Sequence, residues 1–221
     1  MIKIELDNPE FYYNKLTKEI ADTIWNSLKK GEKEDTGCVD WLYGARILDG
    51  NDYVNWHFNV ARDNDAKFTH DLWACAGPDD CYMPAVGFSL VLPKGKHIKN
   101  HKMTYAELFG TVAHELHHIA QNTEENKVKV YPLFSSSDCP DTTVMKYFLD
   151  PVEVGAFHIG FRAQCAISGG DMRAAMYKYL AHQDITDEIK NKIVETWMSP
   201  TFDIARHNIE NPCTDYESLE V

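Results

Sequence analysis

Apolar positions along this chain follow two periods: helical at both ends and alternating in between. In residues 9–30, PEFYYNKLTKEIADTIWNSLKK, Phe11, Leu16, Ile20, Ile24 and Leu28 recur at helical spacing. That pattern predicts an amphipathic helix, with Gly31 as its stop. In YVNWHFNV, Val54, Trp56, Phe58 and Val60 share one face, and Asn55, His57 and Asn59 share the other. This is the period of a half-buried strand. DGND precedes it and predicts a hairpin with ARILD over 45–61. VGFSLVL, 86–92, is a second strand, closed by Pro93. From about residue 103 the helical period returns, and helices are expected over 104–122, 151–168, 171–182 and 187–198. The segment 123–145 is polar and loop-rich around SSSDCPDTT. The order of helix, sheet, then helices argues an α+β fold. Its sheet should be small and mostly antiparallel, and the helical half should run from about 101 to 221. No linker is long enough to divide the chain, so 1–221 is expected to form one domain.

Composition narrows the function classes. The chain has 221 residues, 44% of them hydrophobic, enough to bury a core without disulfides. A net charge of -12 opposes a phosphate backbone, so no nucleic-acid partner is expected. The basic stretch PKGKHIKNHK, 93–102, is expected to be a solvated loop. MIKIELDNPE lacks a basic region followed by an apolar run, and no apolar run approaches the ~18 residues of a membrane span. A cytoplasmic location with no membrane partner is therefore expected. The six cysteines, Cys38, Cys75, Cys81, Cys139, Cys165 and Cys213, contain no C-x-x-C pair. Most should be reduced thiols, which argues against a disulfide-stabilised secreted protein.

The chemistry concentrates in TVAHELHHIAQ, 111–121. Thr104 and Glu107 have the spacing of a capping box, so the helix should start there. Along it, His118 lies only about 40° from His114, while Leu108, Phe109, Val112, Leu116 and Ile119 fall on the opposite side. The helix can bury one face and present an imidazole pair on the other. His114, Glu115 and His118 form an H-E-x-x-H motif. Histidines at i and i+4 can hold one zinc ion at ~2.0–2.1 Å each. Glu115 lies off their axis, where a carboxylate can take a proton from a zinc-activated water. With 10 histidines in the chain, random placement gives roughly 0.03 such matches, so the motif outweighs chance. His117 flanks the pair as a surface or supporting residue.

A catalytic zinc needs a third protein ligand. In DPVEVGAFHIGFRAQ, Asp150 can cap a helix with Pro151 in its first turn. Glu153 shares the apolar face with Ala156, Phe157, Gly160, Ala163 and Ile167. A carboxylate buried there needs a partner, and a metal fits. The competing role is the helix cap, since Asp150 and Glu153 also have capping-box spacing. His158 is the second candidate ligand, on the other side of the same helix, and His182 and His207 are weaker ones. Gly155, Ala156 and Gly160 would let this helix approach the first closely.

HELHH and DPVEVGAF together resemble the gluzincin group of zinc metallopeptidases, over some 20 residues of the chain. The resemblance implies a zincin-like domain carrying one zinc per chain. His114, His118 and Glu153 would be its ligands and Glu115 the general base. Many gluzincins carry an acidic residue one turn after the ligand Glu, whereas this chain has Phe157. The extended metzincin motif is absent, because IAQNTEEN follows His118. The group's sheet offers an edge strand to an extended peptide or protein substrate, and VGFSLVL is the candidate for it. Tyr131, Tyr147, His158 and His207 are candidates to stabilise an oxyanion. The rival expectation is a zinc-binding regulatory module on the same fold, without catalysis.

Overall fold

The computed structural model describes residues 9–33, 41–49, 52–63, 71–78, 84–93, 101–121 and 145–199. Helix α1 (Pro9–Lys33) comes first, then strands β1 (Trp41–Asp49), β2 (Asp52–Asp63), β3 (Asp71–Pro78) and β4 (Pro84–Pro93). Helices α2 (His101–Gln121), α3 (Pro151–Ser168), α4 (Met172–Leu180) and α5 (Asp187–Met198) follow. The fold is helical with a small sheet, in keeping with an α+β class. None of the described helices is long and apolar enough to cross a membrane.

The predicted hairpin is present: β1 and β2 pair antiparallel and close at Asp49 opposite Asp52. Strand order is β1-β2-β4-β3. The outer pairings are antiparallel, and the central pairing of β2 with β4 is parallel. β4 is therefore an inner strand, which corrects the expectation that VGFSLVL forms a free edge. Its Val86, Phe88 and Leu90, on one face, are buried. Trp56, Phe58, Val86, Phe88 and Leu90 are buried, and they join residues of α1 and α2 in the larger hydrophobic cluster.

Helix ends show where local chemistry acts. α3 starts where Asp150 accepts a hydrogen bond from the Val152 N–H at 2.8 Å, with Pro151 in the first turn. It ends at Gly169, whose φ of 72° suits a residue without a Cβ. α2 corrects the capping expectation. It begins at His101, so Thr104 lies inside the helix and is buried. Glu107 instead pairs with Lys178 of α4 at 3.0 Å. α1 runs past Gly31 to Lys33, and α4 stops at Leu180 rather than 182.

A second cluster lies under the C-terminal helices: Phe148, Val154, Phe157, Phe161, Met176, Leu180, Ile193, Val194 and Trp197 are among its buried members. α3 belongs to both, giving Ala163 and Ile167 to the larger cluster and Val154, Phe157 and Phe161 to the smaller. The pair α2–α3 is thus the seam between the two.

Candidate metal centre

α2 buries Leu108, Phe109, Val112 and Leu116 in the larger cluster. That leaves His114 and His118 turned towards α3, from which Glu153 faces them. The Nε2 atoms of His114 and His118 stand 3.1 Å apart. Each stands 3.5 Å from Oε2 of Glu153. Among the described residues these three form the one group of donor atoms able to hold a metal ion. All three side chains are nearly buried, at 12–13% exposure.

Two observations test whether an ion fits. Three ligands of a tetrahedral zinc, each about 2.0–2.1 Å from it, must lie roughly 3.3–3.4 Å from one another. The observed edges of 3.1, 3.5 and 3.5 Å bracket that length. Moreover, the buried Oε2 of Glu153 has no hydrogen-bond partner. Leaving a buried carboxylate oxygen unpaired is costly, and a cation between it and the two imidazoles removes the cost. The residues fit the ion.

Electrostatics support the same division of roles. Burial works to raise the Glu153 carboxyl, but the two histidines override it and hold the group down to about 2. Burial pushes His114 below its usual range, only partly offset by Glu153, which favours the neutral imidazole that a metal requires. Glu115 behaves differently. It is 5% exposed, and its Oε1 lies 3.9 Å from His114 Nε2, outside the donor triangle. Burial pushes its carboxyl up to about 7. A carboxyl of that strength can both accept and return a proton near neutral pH.

The structure sorts the remaining candidates. The cap role falls to Asp150 alone, and Glu153 reaches the histidines instead. His158 points elsewhere: its Nδ1–H donates to the Trp197 carbonyl at 2.8 Å, and burial lowers its pKa. It is not a member of the donor group. His117 is buried on α2, outside the donor group, and His182 is exposed beyond the end of α4. Tyr131 and His207 lie outside the described residues. Tyr147 is half-buried in a helical turn at 145–148. Burial first, and then the nearby Glu153 and Glu115 carboxylates, raise its phenol well above the usual range. Tyr147 thus lies within reach of Glu153, one corner of the triangle. Cys165, the cysteine whose side chain is described, is not part of a disulfide.

Phe157 takes the place one turn after Glu153. Its ring meets His114 edge-on, with centroids 4.7 Å apart, and stacks on Trp197 at 4.3 Å. The apolar character of this position is legible in the sequence, whereas its contact with the His114 ring is not. Comparison of the chain with protein-family models, curated proteins and solved structures gives no match.

Proposed function

We propose that this chain is a zinc-dependent peptidase of the gluzincin kind, with His114, His118 and Glu153 holding one zinc ion and Glu115 as general base. The observation that carries the reading is the triangle of nearly buried donors, at 3.1, 3.5 and 3.5 Å, with a carboxylate oxygen at one corner that has no hydrogen-bond partner. When bound, zinc supplies the Lewis acidity that polarises a carbonyl and makes water a nucleophile near neutral pH.

The chain's own residues supply the rest. Glu115 takes the proton of the attacking water and returns it to the leaving amine. The Tyr147 hydroxyl, on the α3 side of the triangle, donates a hydrogen bond to the oxyanion as charge develops there. β3 takes the role first assigned to VGFSLVL. It is an outer strand, antiparallel to β4, and it packs against α2. An extended peptide pairing with its outer side would run beside the helix that carries Glu115.

The test pairs metal content with cleavage. The purified chain is expected to carry zinc and to cut casein or a peptide library, and a chelator should stop it. Glu115→Gln should keep its zinc and lose ~10²–10⁴-fold in rate. Tyr147→Phe should lose up to ~10²–10³-fold in kcat with KM little changed. Equal cleavage by parent and Glu115→Gln would refute the general-base role. Zinc binding without any cleavage would favour the non-catalytic zinc-binding module.

A further inference from the structure

The helices that bring the three donors together touch through two glycines. Gly110 precedes His114 by one turn of α2, and Gly160 follows Glu153 by two turns of α3. A Cβ on Gly110 would lie 2.6 Å from the Gly160 carbonyl oxygen and 2.9 Å from Gln164 Cβ. A Cβ on Gly160 would lie 2.9 Å from the Gly110 carbonyl oxygen and 3.1 Å from His114 Cβ. All four distances fall inside the ~3.5–4.0 Å of ordinary atomic contact. The main obstacles are backbone atoms, which cannot swing aside as a side chain can. Backbone conformation does not call for glycine here, because both residues sit within helices. Each weakens its helix relative to alanine. What glycine provides at both positions is separation, since it lets the backbones meet.

We propose that the Gly110–Gly160 crossing sets the span of the metal site, so that both glycines are positioning residues for the zinc ligands. The proposal rests on the metal-site reading above. Its logic is geometric. The edges from Glu153 to the two histidines run between α2 and α3, whereas the edge from His114 to His118 lies within α2. Any side chain at the crossing drives the helices apart and lengthens the two inter-helix edges while leaving the intra-helix one alone. Those two edges are already 3.5 Å, at the long end of what a tetrahedral zinc spans. A widened pair leaves Glu153 short of the ion. In Gly160→Ala the new Cβ would meet His114 Cβ at 3.1 Å, a second contact that moving the helices apart relieves.

A packing role alone would lower stability and leave the bound metal unchanged, so the experiment measures both. Zinc affinity is read by competition with a chromophoric chelator, coordination by the visible spectrum of the cobalt(II)-substituted protein, and stability by melting of the metal-free form. Leu28→Ala, in α1 and away from the crossing, is the control. It should lower the melting temperature and keep affinity within about threefold of the parent. Gly160→Ala should lose at least about tenfold in zinc affinity, the scale of losing a residue that orients a ligand. Its cobalt spectrum should weaken towards higher coordination. Gly110→Ala, with the closer contacts, should lose more. If it does not fold, Gly160→Ala carries the test. Parental zinc affinity and a parental cobalt spectrum in Gly160→Ala would overturn the proposal and leave the metal site standing. A parent that binds neither zinc nor cobalt would refute both.

Discussion

The role of Glu153 turns on which oxygen acceptor meets which donor. At the level of sequence, ligand and helix cap compete for one carboxylate. The structure gives the cap to Asp150, whose side chain takes the Val152 N–H, and leaves Glu153 Oε2 buried against two imidazoles with no hydrogen-bond partner. Glu153→Gln keeps the size of the side chain but loses its charge. It should cut zinc affinity by more than the ~10–100-fold of an outer-shell change. His158→Ala should leave affinity near the parent, yet cost about 1 kcal/mol by removing the hydrogen bond to the Trp197 carbonyl. Competition titrations with both variants check this, and the reverse ranking would make His158 the ligand. His114, Glu115 and His118 were legible because i, i+4 spacing on one helix fixes their mutual placement. Tyr147 could not be singled out from three other candidates, because its approach to Glu153 depends on how a turn meets α3.

At the scale of elements, legibility followed local periodicity. The bounds of α3 and α5 were predicted as 151–168 and 187–198 and are found as Pro151–Ser168 and Asp187–Met198. Both have caps and an apolar stripe that agree. β3 was missed because DLWACAGP lacks polar–apolar alternation and ends in Gly-Pro, which suggests a turn. Strand order is a matter of long-range pairing, so the choice between inner and edge strand was not written in VGFSLVL alone. Its unbroken apolar run was the available hint. The Thr104–Glu107 capping box failed because spacing alone does not mark a helix start. Tertiary packing carries α2 one turn further, and Lys178 takes the Glu107 carboxylate. Asp150 is a cap the structure retains. Asp150→Ala should cost about 1 kcal/mol, typical of removing such a side chain. In a chain of 221 residues that corresponds to roughly 2–4 °C of melting temperature. Calorimetry of the metal-free protein measures it, and an unchanged midpoint would contradict the cap's contribution.

Across the whole molecule, the donor triangle sits where two hydrophobic clusters meet. His114 and His118 come from α2, which is anchored on α1 and the sheet. Glu153 comes from α3, whose Val154, Phe157 and Phe161 belong to the C-terminal cluster. Lys178–Glu107 is an exposed ion pair across the same seam, and such pairs contribute little. A metal held by all three donors would therefore act as a cross-link between the clusters. Its effect on stability follows from mass action: zinc at a thousandfold over its Kd adds ~4 kcal/mol if only the folded chain binds it. For a chain of this size that is roughly 8–16 °C. The gain should vanish in His118→Ala, which removes one corner but leaves both clusters intact. Hydrogen exchange locates the effect. Chelation should raise exchange most in α3 and at the histidine end of α2, and least in α1. A melting temperature that does not respond to zinc, in a parent shown to bind it, would mean that the ion does not bridge the two clusters.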